Sequence, residues 1–368
     1  MDLGIIITQH RKEKQITQQE LADFIGVSKA AVSKWETGQT CPDINLLPLL
    51  AAYFDISIDT LLGYNAQLTS EEIRHIYKML TKAFDKQSGA EVLKTIRGFI
   101  QRYYACYPFI LQMGLLIMNH YDLFPGQDET KISKYMQEAQ TLFVHVRKNA
   151  KDPALIIQAR DYEAYTLLVL EKPEAVLDAL GAYVPPYFPT ETLIAGAFRL
   201  KNDHVRARRT LQSALAQYVF VTMSLFSNYL AELMDDADKF NETYRRGQKL
   251  AELFELETLH PVSLLNFQAS AIVGFAQLQA EPQLFEVLNN YADLLAKTQF
   301  PLQLHGDVYF DLIQEWLDQL DLGAQMPRNS SQVQAGLIAL IINNPYLAPY
   351  QNKPEFQEIL QKIKSIGA

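Results

Sequence analysis

Residues 17–36, near the N-terminus, constrain the fold of this chain more than any other part. Thr17 and Glu20 have the spacing of a capping box, in which the Thr17 side chain accepts from the Glu20 amide and the Glu20 side chain reaches back. Gly26 stands where the chain must turn sharply, a position that commonly needs a positive φ. Ser28 is a typical N-cap residue. The segment therefore predicts two short helices joined by one glycine turn.

The apolar residues of this segment indicate which side of each helix is buried. Leu21 and Ile25 lie four residues apart on the first helix, and Val32 and Trp35 lie three apart on the second. Ala22 is small enough to let one helix cross closely over the other. The opposite side of the second helix then carries two cations, a hydroxyl and a methyl group, which suits the major groove of DNA. These residues are Lys29, Lys34, Ser33 and Ala30.

The segment resembles the helix-turn-helix of the phage Cro and repressor type, the XRE (xenobiotic-response-element) family of bacterial regulators. The resemblance covers residues 3–63, with a first helix upstream, a loop at 37–43 and two further helices downstream. It implies an all-α, five-helix, lambda-repressor-like DNA-binding domain. Pro48 departs from the pattern because it lies inside the fourth helix and removes a backbone donor. We expect that helix to bend or to start late.

The resemblance also implies which residues contact DNA. Gln18 would touch a phosphate, Lys29 and Lys34 would read guanine, and Ala30 would meet a thymine methyl. Backbone amides in the loop after the second helix would contact a phosphate, which sets register rather than sequence preference. The complete predicted set is Gln18, Ser28, Lys29, Ala30, Ser33, Lys34, Gly38, Gln39 and Thr40.

Plainer interpretations of these residues stay open. Lys29 and Lys34 could also be ordinary solvent-exposed lysines without a role in DNA binding. By family analogy Arg11 pairs with Glu36, which makes Arg11 a structural brace rather than a base reader. The capping box, small residue, turn glycine and N-cap serine all fall in register, and this agreement favours DNA binding.

The charge of the chain limits how it binds DNA. Residues 1–64 hold five Lys or Arg and eight Asp or Glu, a net charge of −3, and the whole chain has a formal net charge of −9. Such a chain does not coat DNA by bulk electrostatics. We therefore expect two copies to bind one operator, and we do not expect a histone-like protein.

Length and composition fit an ordinary soluble chain of 368 residues, with 48% hydrophobic and 20% charged residues. Cys41 and Cys106 form no motif and predict a reducing compartment, the cytoplasm. The N-terminus leads directly into the first helix, so we expect no signal peptide. The most apolar run, 109–118, is too short to cross a bilayer and predicts a buried helix.

The rest of the chain also predicts helices. We expect a linker at 64–70 and a helical sensor and dimerisation domain at 71–368, because apolar residues recur there at spacings of three and four. Long helices with short turns are typical of antiparallel pairs stacked into a solenoid. The predicted helices are 70–86, 90–106, 109–121, 129–150, 153–171, 173–181, 190–201, 204–217, 219–235, 238–256, 261–280, 282–298, 303–321, 331–343 and 354–365.

Internal repeats point to a tetratricopeptide-like array. Residues 194–214 fit the small, aromatic and alanine spacing of one tetratricopeptide repeat, and 163–180 and 275–291 are poorer copies. An irregular all-α domain is the competing interpretation.

A Cro-type domain before such an array resembles the Gram-positive regulators that sense a short peptide. In these proteins asparagine amides hold the peptide backbone, because an amide both donates and accepts. The candidates here are Asn228, Asn266, Asn290 and the adjacent Asn289. The plainer interpretation is that they face solvent or cap a helix.

Motifs of enzymes are missing from the sequence. It has no P-loop, no glycine-rich dinucleotide motif and no paired C-x-x-C, and none of its seven histidines is spaced for a metal. We therefore expect no enzymatic activity, no cofactor, no metal and no membrane partner.

The sequence as a whole predicts a cytoplasmic, homodimeric transcriptional regulator that binds a double-stranded DNA operator and senses a peptide or other effector. One alternative is a protein-interaction scaffold with a vestigial helix-turn-helix domain. Another is an antitoxin or phage-type repressor without a small ligand.

Overall fold

The computed structural model describes residues 3–64, 67–184, 188–323, 327–328 and 330–366. Within these ranges the chain is helical and contains no β-strand. The predicted all-α class is therefore confirmed. Residues 65 and 66 of the predicted linker lie outside the described residues.

Residues 3–64, all described, form five short helices. Pro48 occupies the first turn of the fourth, where its missing N–H costs no helical hydrogen bond, so this helix begins late, as predicted. The elements are α1 (Leu3–Glu13), α2 (Gln18–Ile25), α3 (Lys29–Glu36), a 3₁₀ turn (Ile44–Leu46), α4 (Leu47–Phe54) and α5 (Ile58–Leu61).

A small apolar core holds these helices together. Its members are spaced by three or four residues along each helix, and the fully buried ones are Ile7, Leu21, Ala22, Val32, Leu50 and Leu61. Gly4 allows α1 to cross the end of α3 closely, because a Cβ at this position would lie 2.2 Å from the carbonyl oxygen of Trp35.

The next helices surround a second core that includes Phe109, Tyr135 and Phe143. The apolar run 109–118 lies within the third of these helices, and most of its side chains are buried, as predicted. The elements are α6 (Ser70–Ala83), α7 (Gly89–Arg102), α8 (Tyr107–Asn119), a 3₁₀ turn (Tyr121–Leu123), α9 (Asp128–Asn149) and α10 (Pro153–Val169).

Of the remaining helices, those from residue 204 onward contribute to a third core around Phe240, Phe267 and Tyr291. The remaining elements are α11 (Pro173–Leu180), α12 (Thr190–Leu200), α13 (His204–Ala231), α14 (Ala237–Leu253), α15 (Leu256–Leu259), α16 (Pro261–Gln277), α17 (Glu281–Lys297), α18 (Gln314–Gln319), α19 (Ser330–Ile342), a 3₁₀ turn (Pro345–Tyr350) and α20 (Pro354–Ile366).

Three predicted helices, 204–217, 219–235 and 303–321, differ from the structure. Residues 204–231 form one continuous helix rather than two, because the segment holds no proline or glycine that would break it. The helix predicted over 303–321 is wrong for most of its length, and only Gln314–Gln319 is helical. Backbone amides in the irregular part bond to side chains instead of to a helical ladder.

Residues 303–323, which include the short helix α18, connect the second and third cores. We call them the bridging segment. On one side the Gln212 side chain of α13 donates to the Asp311 carboxylate (2.8 Å) and accepts from the Leu312 amide (2.9 Å). On the other side Gln112 of α8 donates to Asp321 at 3.0 Å. The bridging segment thereby places α18 against α12 and α13.

No helix among the described residues is long and apolar enough to cross a membrane. Nor do those residues contain a group of three or more His, Cys, Asp or Glu side chains that could hold a metal ion. Both cysteines are free thiols, with Cys41 exposed and Cys106 buried.

Candidate nucleic-acid interface

The two helices predicted from residues 17–36 are α2 and α3, and their ends have the predicted chemistry. The Thr17 hydroxyl accepts from the Glu20 amide (3.2 Å) while the Glu20 carboxylate accepts from the Thr17 amide (2.7 Å), which completes the capping box. Gly26 ends α2 with φ at 81°. The Ser28 hydroxyl caps α3 by accepting from the Ala31 amide at 3.2 Å. These caps fix the angle at which α3 leaves the domain.

One face of α3 is turned away from the core. Ser28, Lys29, Ala30 and Lys34 are exposed and Ser33 is half-buried, whereas Val32 and Trp35 on the opposite face are buried. Neither lysine forms an ion pair with a described residue. The face therefore presents two free ammonium groups beside a hydroxyl and a methyl, on a helix narrow enough for the major groove.

Gln18 has a second role that the sequence did not indicate. Its side-chain amide donates to the Glu36 carboxylate at 2.8 Å, which ties the start of α2 to the end of α3. The amide nitrogen carries a second hydrogen, so a phosphate contact remains chemically available. A sequence pattern alone does not reveal this contact because the two residues lie 18 positions apart.

The loop after α3 holds the three residues whose amides were predicted to contact a phosphate. Gly38, Gln39 and Thr40 are exposed, but their amides already donate to carbonyls at the end of α3. Gly38 donates to Trp35 (3.1 Å), and Gln39 and Thr40 both donate to Lys34 (2.9 and 3.3 Å). These bonds terminate the helix. The role of this loop in contacting a phosphate stays a prediction.

A charged network behind α3 holds the face in place. The Arg11 guanidinium donates to both oxygens of Glu36 (2.5 and 3.0 Å) and to the carbonyl of Ile16 (2.8 Å), so the ion pair expected by analogy is confirmed. Burial disfavours the charged form of Glu36, but the hydrogen bonds from Arg11 and Gln18 outweigh it and lower the pKa of that carboxyl. The hydrogen bond to Glu36 raises the pKa of Arg11. Both groups are therefore charged at neutral pH.

The asparagines predicted to hold a peptide lie on three helices. Asn228 on α13 and Asn266 on α16 are exposed, and Asn290 on α17 is half-buried. Asn228 donates to the carbonyl of Ser224, four residues earlier, at 2.9 Å. Asn289, which precedes Asn290, likewise donates to the carbonyl of Phe285 at 3.0 Å. These two bonds are local and leave the ligand role a prediction.

The five helices of residues 3–64, with an uncovered third helix braced from behind, define a helix-turn-helix DNA-binding domain. A family model described as helix-turn-helix matches residues 7–61. The chain is 36% identical over 98 residues to the HTH-type transcriptional regulator SinR of Bacillus subtilis, covering 25% of this chain and 88% of that relative. It is 29% identical over 104 residues to the HTH-type transcriptional activator BcrR of Enterococcus faecalis, covering 27% of this chain and 51% of the relative.

The chain therefore belongs to the helix-turn-helix family of transcriptional regulators, and it is a DNA-binding regulator of that class. The matched part spans about half the length of BcrR and about a quarter of this chain. No solved structure matches the chain. The helices from α6 onward thus lie largely outside the similarity.

Proposed function

We propose that the protein is a homodimeric, cytoplasmic operator-binding regulator that places α3 in the major groove. The observation that carries this proposal is the uncovered face of α3. On this face Lys29 and Lys34 lack a carboxylate partner among the described residues, and the exposed Ala30 lies between them in the sequence. Lysines would contact guanine edges or phosphates, and the Ala30 methyl would contact a thymine methyl.

The charge of the domain supports binding as a pair. With a net charge of −3 over residues 1–64, one domain has little general attraction for DNA. Two domains on a two-fold site double the specific contacts without adding a basic surface. The half-sites would then lie about one helical turn apart, roughly 34 Å, or a multiple of it.

The exposed side chains of α10 to α13 favour this surface as the contact between the two copies of a dimer. Large apolar side chains are exposed along this stretch, and exposed apolar surface of this kind is typical of protein–protein contacts when it is contiguous. They include Ile157, Tyr165, Leu168, Leu177, Leu180, Leu193, Leu200, Val205, Leu215, Val221 and Leu225. We infer that a second copy of this chain covers much of this surface.

Sedimentation of substituted full-length chains tests the dimer. Leu168→Asp and Leu193→Asp, each at a side chain 60% exposed, should weaken self-association at least about tenfold, because a carboxylate would be buried without a partner. Leu253→Asp on α14, at a side chain 74% exposed outside this surface, is the matched control and should leave association unchanged. Equal masses for all chains at every concentration would reject this interface.

The helical region after residue 70 would receive a signal, in the manner of a tetratricopeptide-like sensor domain. The pairing of α12 with α13, where Ala195, Ala207 and Ala214 are buried between the helices, supports the repeat-like interpretation of 194–214. A ligand that binds the folded chain raises its thermal stability. An antitoxin or phage-type repressor without a small ligand would give no such shift.

Selection of bound sequences from a random duplex pool tests the function as a whole. Enrichment of a palindrome with two half-sites is the expected result. If no sequence is enriched, the scaffold with a vestigial helix-turn-helix is the better description, and the operator proposal fails.

A further inference from the structure

A cleft of about 370 Å³ lies between α12, α13 and α18, far along the chain from the DNA-binding face. Glu191, Ile194 and Phe198 of α12 form one wall, and α13 forms the floor. The bridging segment closes the third side with Glu315 and Trp316 of α18. Its volume is at the lower end of the range of roughly 300–1,000 Å³ that is typical of small-molecule sites.

Both signs of charge line this cleft. Arg206 and Arg209 enter from α13, and Glu191 and Glu315 enter from the two other walls. Arg209 forms an ion pair with Glu315 across the cleft, and Arg206 pairs with Asp203 at its rim (3.1 Å). The Tyr218 hydroxyl donates to Glu191 at 2.7 Å and so orients that carboxylate. Two guanidinium groups and two carboxylates match a ligand that carries both charges.

Two buried polar atoms in the cleft lack a hydrogen-bond partner among the described residues. They are the hydroxyl of Ser213, a residue only 8% exposed, and Nε of Arg209. Buried polar atoms are normally paired, because an unpaired one costs about 1–3 kcal/mol in desolvation. A ligand with polar groups beside α13 would supply the missing partners.

Apolar side chains complete the lining. Ile194 lines the cleft with 48% of its surface exposed, and Phe198 and Trp316 add aromatic surface. The Arg206 guanidinium lies over the Phe198 ring, with 5.6 Å from its carbon to the ring centroid. The cleft thus combines a charged end with a wall suited to an apolar body.

We propose that this cleft binds a free α-amino acid with a large apolar side chain. Arg206 and the unpaired Nε of Arg209 would hold the carboxylate, Glu191 and Glu315 the ammonium group, and Ile194 and Trp316 the side chain. The two carboxylates of the cleft would repel a simple anion, and the two guanidinium groups would repel a simple cation. A zwitterion can pair with both kinds of group, so it is favoured over either. This inference names the effector class for the signal reception proposed above, and binding to the cleft does not require DNA.

Calorimetric titration of the full chain with three related compounds tests the assignment. L-phenylalanine carries both charges, 3-phenylpropionate lacks the ammonium group, and phenethylamine lacks the carboxylate. We expect L-phenylalanine to bind and each of the other two to bind at least about tenfold more weakly, because each leaves charged groups of the cleft unmatched. Equal binding by N-acetyl-phenylalaninamide, which has neither charge, would overturn the proposal, as would no binding of L-phenylalanine.

Substitutions on α13 locate the site. Arg206→Gln should weaken L-phenylalanine at least about tenfold while leaving phenethylamine unchanged, since only the first has a carboxylate. Arg208→Gln is the matched control, because Arg208 is exposed on the same helix and does not line the cleft. Ser213→Ala should weaken L-phenylalanine severalfold. If Arg206→Gln and Arg208→Gln bind it equally well, the ligand lies elsewhere.

Operator binding, followed separately by fluorescence anisotropy, distinguishes this inference from the proposed function. If the chain binds an operator but does not bind the amino acid, the inference about the cleft is rejected and the proposed function stands. Amino-acid binding without any operator supports the cleft and rejects the proposed function.

Discussion

The guanidinium of Arg11 donates hydrogen bonds to both carboxylate oxygens of Glu36, at 2.5 and 3.0 Å, and so joins α1 to the last residue of α3. The side chains are only 13% and 7% exposed, so this ion pair is shielded from solvent. Gln18 adds a third hydrogen bond to the same carboxylate from the start of α2. Three helices thus meet at Glu36, and the direction of α3 depends on it.

Glu36→Gln should destabilise the N-terminal domain by about 2 kcal/mol, because Arg11 would lose a charged acceptor. Trp35 reports this unfolding by fluorescence in a Trp316→Phe background, since the chain has two tryptophans. Glu71→Gln, at an exposed residue of α6, is the control and should leave the transition unchanged.

The same pair predicts a pH dependence in acid. The pKa of Glu36 is lowered in the folded state, so its stabilisation is complete above the unfolded pKa near 4.5 and is lost as the pH falls through the folded value. The Trp35 transition should therefore weaken below pH 4.5 in the parent chain, and this loss should be smaller in Glu36→Gln. Identical pH profiles for the two chains would contradict the role of Glu36.

Gly4→Ala should destabilise the domain by more than about 2 kcal/mol, because the new methyl would lie 2.2 Å from the backbone oxygen of Trp35 and would push α1 away from α3. Gly98→Ala on α7 is the matched control, since no atom lies within 4 Å of its added Cβ. It should be neutral or stabilise by up to about 1 kcal/mol through helix propensity. Urea unfolding of the two variants measures the difference, and equal midpoints would refute the close crossing.

His120 predicts a second, separate loss of stability in acid. Burial lowers its pKa to about 4, and its ring stacks on Phe84 (5.1 Å between centroids) while Nδ1 bonds to the Leu116 carbonyl at 3.0 Å. The unfolded chain therefore binds a proton between about pH 6.5 and 4 that the folded chain does not. The second core should lose on the order of 3 kcal/mol across this interval as the pH falls.

Hydrogen exchange of peptides from α8 measures this loss region by region. His120→Phe keeps the stacking on Phe84 but removes the titrating group, so its exchange protection should change less between pH 7 and 4 than that of the parent chain. If both chains lose protection equally, His120 is not the responsible group.

The α2–α3 pair was predictable from sequence because its signals act locally. A capping threonine bonds to an amide three residues away, and Gly26 alone sets the turn with its φ of 81°. Burial of Val32 and Trp35 follows from their spacing. The exposed face of α3 was therefore placed correctly without tertiary information.

The bridging segment was not predictable, and the reason is physical. Phe310, Ile313 and Leu317 are buried at spacings of three and four, which imitates a helix. The amide of Leu312 instead bonds to Gln212, 100 positions earlier in the chain. The local spacing of apolar residues does not reveal a partner so distant in sequence. The sequence analysis therefore also missed the cleft that α18 completes.

Lys29→Ala and Lys34→Ala should each weaken operator binding, since both ammonium groups face solvent without a carboxylate among the described residues. A lysine that contacts a base should cost about 1–3 kcal/mol and relax the preference at one position, whereas one that contacts a phosphate should lower the salt dependence by about one ion. Anisotropy titrations at several salt concentrations separate the two roles. Lys94→Ala, at an exposed lysine of α7, is the control and should bind as the parent chain does. Unchanged affinity and sequence preference in both α3 variants would mean that another surface reads the operator.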